Sequence, residues 1–179
     1  MEKLLGSSVL AVLAALVATA APALAAPPTQ RTIHDAVEPG KAYDIVRLTL
    51  TSAPGEGRKA QVVVDHHRRV RVGDGIDVWV DTDGDRQPDL YITGYAFSEY
   101  AVFKADGWTG HGRDISDRGC VTLRMRDTRS IVRVDPSCLQ PSTSFAVSVH
   151  SFVQDRPART ADSVPGSRRL TRKVLSFRS

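Results

Sequence analysis

The stretch Asp81–Asp89 carries the residues whose types and spacing best suit a chemical role. Its sequence, Asp-Thr-Asp-Gly-Asp-Arg-Gln-Pro-Asp, places carboxylates at relative positions 1, 3, 5 and 9. Calcium accepts roughly six to eight oxygen ligands in a flexible cage, and such a loop supplies them from alternate side chains and a backbone carbonyl. We therefore predict a calcium site formed by the side chains of Asp81, Asp83, Asp85 and Asp89 and the carbonyl of Gln87.

This loop is not an EF-hand, because Arg86 and Ile92 occupy the positions of the EF-hand glycine and bidentate glutamate. It resembles the shorter DxDGDxxxD calcium turns of secreted proteins, in which a glycine, here Gly84, allows the backbone to bend. The alternative is a solvated turn whose aspartates accept hydrogen bonds from their own backbone. If calcium binds, we expect a structural role and the weak affinity of extracellular modules, about 0.1 to 1 mM.

Catalytic signatures are missing from the sequence. It contains no G-x-S-x-G elbow, H-E-x-x-H helix or glycine-rich phosphate loop. His66 and His67 are adjacent, so on a strand they would point to opposite faces and could not easily hold one metal. We predict a protein that is not an enzyme.

Aromatic residues are the best indication of a ligand. They lie in or beside the central predicted strands, and on a rigid scaffold their faces could stack on sugar rings. Large aromatics in a small domain are more often core residues, and we expect burial for Trp79 and exposure for Trp108. The candidate ligand platform consists of Trp79, Tyr91, Tyr95 and Trp108.

The elements that must position these residues are short strands. Apolar and polar residues alternate in runs separated by Gly, Pro and Asp clusters, which indicates antiparallel β-structure. We predict an all-β fold, an antiparallel β-sandwich, with a closed β-barrel as the alternative. The predicted strands are Tyr43–Ser52, Lys59–His66, Ile76–Val80, Leu90–Ala96, Tyr100–Ala105, Cys120–Arg126, Ile131–Val134 and Phe145–Val153.

The chain begins with a segment typical of a secretory signal peptide. Residues 1–25 contain an early lysine, a short Ala-rich apolar run and an A-x-A sequence ending at Ala25. We predict a flexible lead over 26–41, one domain over 42–179, no transmembrane segment after cleavage, and a secreted protein. The net charge of +4 is compatible with anionic cell-envelope polymers or headgroups, but we favour an ordinary solvated surface as its explanation. No nucleic-acid partner is predicted.

Cys120 and Cys138 are the only cysteines, and export favours a disulfide between them. A hairpin folded about Arg129 would place the two opposite each other. The bridge should add roughly 3 kcal/mol of stability.

The C-terminal part of the chain, from Arg156 onward, is rich in arginine and has two interpretations. It could form an amphipathic helix with Leu170, Val174 and Phe177 on one face. We favour a last strand over Arg168–Phe177, preceded by a turn over Asp162–Gly166, that pairs with an edge of the sandwich.

Several segments form a distinctive order along the chain: Asp44-Ile45, Val78–Asp83, Gly107-Trp108, the cysteine pair, and Asp162–Pro165 with the basic residues that follow. Together they resemble a group of small exported proteins of high-GC Gram-positive bacteria. The resemblance implies a β-sandwich similar to carbohydrate-binding and DOMON-like modules. We therefore expect a secreted, calcium-stabilised module that binds glycan or cell-envelope polymer. The alternatives are an extracellular protein-binding or inhibitory module and, third, a hydrolase.

Overall fold

The structure, a computed structural model, describes residues 27–55, 58–139 and 143–176. The predicted signal peptide lies outside these ranges. Among the described residues there are three short 3-10 helices, at Ser116–Arg118, Pro136–Leu139 and Ala158–Thr160, and none is long and apolar enough to cross a bilayer. The strands are β1 (Gln30–His34), β2 (Ile45–Thr51), β3 (Ala60–His66), β4 (Asp74–Asp81), β5 (Leu90–Tyr95), β6 (Tyr100–Asp106), β7 (Gly110–Asp114), β8 (Val121–Arg126), β9 (Arg129–Val134), β10 (Ser144–Val153), β11 (Asp162–Val164) and β12 (Val174–Leu175).

These strands form two antiparallel sheets, as the alternating sequence pattern predicts. The small sheet has the order β1-β2-β3-β9-β8, and the large sheet has the order β11-β10-β4-β5-β6-β7, with β12 also paired to β10. The sheets do not join into a closed barrel, so the β-sandwich prediction is confirmed and its alternative is not needed.

Alternate residues of both sheets point inward and form one apolar core. In β4, Ile76, Val78 and Val80 are almost fully buried, and the residues between them face away from the core. In β2 the alternation is interrupted by a bulge between Ile45 and Arg47, which lets Ile45 and Leu48 both face the core although they are three positions apart. The core thus fixes which side chains appear on the outer faces.

Order begins earlier than the sequence analysis predicted. The lead was expected to be flexible up to about Ala42, but Gln30–His34 forms β1 and pairs with β2. Within β1, Ile33 packs against the core. An edge strand with only one apolar residue facing the core shows little alternation in its sequence, so β1 was not predicted.

The C-terminal prediction is partly wrong. The segment after Asp162 was expected to be a turn, but Asp162–Val164 is β11, paired to residues 149–151 of β10. The last strand was expected over Arg168–Phe177, and of its described residues only Val174 and Leu175 pair, with residues 144–145 of β10. Both strands lie along the same edge of β10, so residues 165–173 leave the sheet and return to it.

The cysteine pairing is confirmed, but the predicted register is wrong. Cys120 and Cys138 form a disulfide with a Cα–Cα distance of 6.1 Å. The β8–β9 hairpin pairs Arg126 with Arg129, so it turns on Asp127-Thr128 and places Asp135 rather than Cys138 opposite Cys120. Cys138 follows the strand in the 3-10 helix Pro136–Leu139. The bridge therefore ties the start of β8 to the segment that leaves β9.

Candidate functional site

The acidic loop connects β4 to β5 and is held by hydrogen bonds from its own backbone. The Gly84 N–H donates to Oδ1 of Asp81 at 2.6 Å, and the Asp85 N–H donates to Oδ1 of Asp83 at 3.0 Å. The backbone N–H and the hydroxyl of Thr82 both donate to Oδ2 of Asp89 at 2.6 Å. These bonds orient the carboxylates before any ion is present.

Three of the predicted calcium ligands lie together. One carboxylate oxygen each from Asp81, Asp83 and Asp89 falls within a group whose members are all within 4.8 Å of one another. Asp81 is 1% exposed, whereas Asp83 is exposed and Asp89 half-buried. Such a convergence of carboxylates could hold a metal ion, whose positive charge would offset their mutual repulsion.

Two predicted ligands stand outside this group of three. Asp85 is exposed, and its Oδ1 accepts a hydrogen bond from the Gln87 N–H at 2.6 Å. The side chain of Gln87 lies near Gly107, where a Cβ would be 3.7 Å from Oε1. That Asp85 and the Gln87 carbonyl act as ligands stays a prediction.

A lysine from the C-terminal part of the chain reaches the acidic loop. Nζ of Lys173 lies so close to Gly84 that an ideal Cβ built there would be 1.8 Å away. Gly84 also has a φ of +89°, which side-chain-bearing residues rarely adopt. The positive φ favours glycine at the bend of the loop, whereas the end of the flexible Lys173 side chain could move aside for a Cβ.

A continuous set of rings covers the outer face of the large sheet. Trp79 in β4 is the register partner of Tyr91 in β5, and Tyr91 is the partner of Phe103 in β6. Their ring centroids are 5.2 Å and 6.2 Å apart, respectively. His111 of β7 extends the set beyond Tyr91, at 4.4 Å between centroids. The rings therefore run across four neighbouring strands.

The set continues onto β10 on the other side of Trp79. His150 lies 6.4 Å from Trp79 and 5.5 Å from Phe152, and Phe152 meets Tyr95 edge-on at 5.4 Å. Phe152 lies over Gly75, where a Cβ would be 2.5 Å from its ring. Gly75 thus lets this aromatic ring lie close against the sheet.

The four residues of the predicted platform lie on this face with different exposures. Tyr91 is 6% exposed and Tyr95 is 40% exposed. Trp79 and Trp108 are both half-buried, and their ring centroids are 6.1 Å apart. The predicted contrast between a buried Trp79 and an exposed Trp108 is therefore wrong, because Trp79 faces outward and is shielded mainly by other rings.

Polar groups lie between the rings. The Tyr91 hydroxyl donates to Oδ1 of Asp77 at 2.8 Å, and Nδ1 of His150 lies 3.3 Å from Oδ2 of the same carboxylate. Burial and the neighbouring Asp77 carboxylate raise the pKa of Tyr91 well above its usual range, so the phenol stays a hydrogen-bond donor. The face thus combines apolar surfaces with fixed hydrogen-bonding groups.

The aromatic face ends beside the acidic loop, since Trp108 and Asp81 line the same cavity. No family model matches the chain, and no curated protein matches it. The resemblance to small exported proteins accordingly stays a prediction. The carboxylates, aromatic rings and cations of this region therefore determine what it can bind.

The sequence analysis missed half of the aromatic face. Phe103, His111, His150 and Phe152 belong to it, and the first two follow from the alternation of β6 and the position of β7 beside it. His150 and Phe152 depend on the pairing of β10 with β4, which joins residues about 70 positions apart and leaves no local signal.

The adjacent histidines do not form a metal site. His66 is 3% exposed, and its ring stacks on Tyr43 at 3.7 Å between centroids. Its Nε2 lies 3.0 Å from Oγ of Ser130. His67 is exposed, and its Nδ1 accepts a hydrogen bond from the Asp44 N–H at 3.2 Å. Burial lowers the pKa of His66 to about 3, so its ring is neutral and belongs to the core.

Proposed function

We propose that this protein is an exported, non-catalytic β-sandwich module that binds a glycan along the aromatic face of its large sheet and calcium in its Asp81–Asp89 loop. The observation that carries the proposal is the continuous set of rings on a sheet face that points away from the core. Apolar side chains in that number normally face inward, and a grouped apolar surface at the exterior is typical of a binding site.

The aromatic face suits sugar rings for two reasons. Sugars present apolar C–H faces that pack on aromatic rings, and hydroxyl groups that need polar partners. Asp77 and His150 supply an acceptor and a titratable ring between the aromatics. Beside them lies a shallow cavity of about 460 Å³ whose lining includes Asp77, Tyr95, His150, Phe152 and residues 154–158. A chain of sugar units could therefore follow the face from this cavity toward Trp108.

Calcium in the acidic loop would support this face without taking part in chemistry. Asp81 is the last residue of β4, the strand that carries Trp79 and Asp77. An ion shared by Asp81, Asp83 and Asp89 would fix the end of β4 and the start of β5 relative to each other. This geometry supports a structural ion rather than a sensor, as expected for an extracellular module.

The test is glycan binding by the protein and by two alanine variants. We expect the protein to bind one or more polysaccharides in affinity electrophoresis and titration calorimetry, and Trp79→Ala to weaken binding about tenfold or more, which is about 1.4 kcal/mol. Phe97→Ala is the matched control, because Phe97 is 72% exposed and makes none of the ring contacts of the aromatic face.

Three results would contradict the proposal. If the protein binds no polysaccharide of any class, the proposal of a glycan ligand is wrong. Equal losses in Trp79→Ala and Phe97→Ala would move the site away from the aromatic face. Release of new reducing ends from a bound polymer would show catalysis and favour the hydrolase alternative.

A further inference from the structure

A concave site lies where the aromatic face meets the C-terminal part of the chain. It is a cavity of about 590 Å³. Ala146 of β10 and Asp81 at the end of β4 line it near the sheet, and Trp108 lines it from the turn between β6 and β7. Five cationic residues also belong to the lining: Arg86, Arg168, Arg169, Arg172 and Lys173.

Among the described residues, no cation of this cavity takes part in an ion pair. Within ranges 27–55, 58–139 and 143–176, the lysine and arginine ion pairs are formed by other residues: Lys41, Arg47, Arg68, Arg126 and Arg129. Asp81 is the only carboxylate in the described lining of the cavity, and it already accepts a hydrogen bond from Gly84. Several like charges around one concavity raise its positive potential and favour a bound anion.

The segment that carries four of these cations, residues 168–173, is fixed to the sheet. Its N-terminal side follows β11 and its C-terminal side continues into β12, and both strands pair with β10. Between them the Thr171 N–H donates to the Val147 carbonyl at 2.8 Å, and the Thr171 hydroxyl accepts from the Val147 N–H at 3.1 Å. The arginines therefore project from a held backbone, which lowers the entropy cost of binding.

We infer that this cavity binds the anionic substituent of a polysaccharide, a phosphodiester or a uronic carboxylate, whose sugar units lie on the aromatic face. Arginine suits this role because its planar guanidinium can form two parallel hydrogen bonds with a carboxylate or a phosphate. Trp108 belongs both to the cavity and to the ring set, at 6.1 Å from Trp79, so a single polymer would contact both. The inference rests on the proposed glycan-binding function and specifies which glycans are bound.

The experiment compares three soluble polymers by titration at two salt concentrations. One carries phosphodiesters, one carries uronic carboxylates, and one is a neutral glucan. The test variant is Arg169→Gln with Arg172→Gln, two exposed residues of the cavity. The control variant is Arg124→Gln with Arg126→Gln, which removes the same charge from exposed positions of β8 on the small sheet.

We expect at least one anionic polymer to bind about tenfold or more tightly than the neutral glucan, with affinity that falls as salt rises. The cavity variant should lose most of its extra affinity for the anionic polymer, and its affinity for the neutral glucan should not change. The control variant should keep the extra affinity for the anionic polymer. The anionic polymer whose affinity falls in the cavity variant identifies the substituent that is bound.

Other outcomes would overturn the inference. If the neutral glucan binds as tightly as both anionic polymers, the cavity is not selective, and the proposed function survives alone. If both arginine variants lose affinity equally, the attraction is a diffuse charge effect. If anionic phospholipid vesicles bind and no polymer does, both the inference and the proposed function fail.

Discussion

Lys173 and Gly84 are in contact across the boundary between the acidic loop and the basic cavity. An ideal Cβ on Gly84 would lie 1.8 Å from Nζ of Lys173, so the ammonium group lies directly against the bend of the loop. The acidic loop and the basic cavity therefore adjoin, and Asp81 and Gly84 belong to both.

Calcium should stabilise the folded protein. At a concentration tenfold above the dissociation constant, one ion bound only by the native state adds about 1.4 kcal/mol, or about 3–6 °C in thermal midpoint for a domain of this size. Differential scanning calorimetry with calcium and with excess chelator measures the shift. Asp83→Asn should abolish it, and Asp117→Asn, an exposed acid outside the loop, should leave it intact. Coincident curves for the unchanged protein would show that the loop is a solvated turn.

Lys173→Gln should strengthen calcium binding. The ammonium group at Gly84 repels a divalent cation held in the same loop, and a partly exposed charge at this range contributes on the order of 0.3–1 kcal/mol. We expect a rise in calcium affinity of about two- to fivefold in titration calorimetry, reduced at high salt. Arg124→Gln is the control, because it removes one positive charge from an exposed position of β8 on the small sheet. Weaker calcium binding in Lys173→Gln would instead show that the lysine orders the loop.

Reduction of the disulfide should destabilise the protein by about 3 kcal/mol. Cys120 and Cys138 are 18 positions apart, and opening a loop of that length restores chain entropy to the unfolded state. Urea unfolding with and without reductant measures the change. The double variant Cys120→Ser, Cys138→Ser should have the same free energy of unfolding as the reduced protein, and reductant should not change it. A loss below about 0.5 kcal/mol would mean that the hairpin of β8 and β9 holds these ends without the bridge.

Stability should fall as pH decreases from 7 to 5 because of His66. Its pKa is about 3 in the folded state and near 6.5 in the unfolded chain, so only the unfolded chain takes up a proton in this window. Acidification therefore favours unfolding, by about 2 kcal/mol from this group between pH 7 and pH 5. Urea unfolding at both values measures it.

His66→Gln should reduce that pH dependence although it lowers stability at pH 7. His67→Gln, a change at the neighbouring exposed histidine, should retain it. A pH dependence that is equal in all three proteins would assign the effect to other groups.

The sequence predicted those features that depend on residues close to one another in the chain. Alternation placed the strands of the core within a few residues, because inward-facing and outward-facing side chains alternate along strands such as β4. The spacing of Asp81, Asp83 and Asp89 anticipated their convergence, since a tight loop can bring together residues that are close in sequence. The pairing of Cys120 with Cys138 required only that no other cysteine exists.

Features that depend on distant pairing could not be predicted in this way. The cavity is lined by residues 168–173, which connect β11 to β12 along the edge of β10, and these two very short strands have weak patterns of their own. Likewise, His150 joins the aromatic face because it is the register partner of Asp77. Loop length and sheet order decide such contacts, and single-sequence periodicity reports neither.

The outer face of the small sheet differs chemically from the aromatic face. There Asp65 of β3 accepts from Nε of Arg47 at 2.8 Å and from Nε of Arg129 at 2.7 Å, which makes a charged ladder across three strands. The outer faces of the two sheets consequently suit different surroundings. Adsorbed to a polymer surface, it would lie in one orientation, with its charged sheet turned to the solvent about 10 Å above the sheet that makes contact. A fluorophore attached on that side would remain accessible to a soluble quencher while one beside Trp108 was protected.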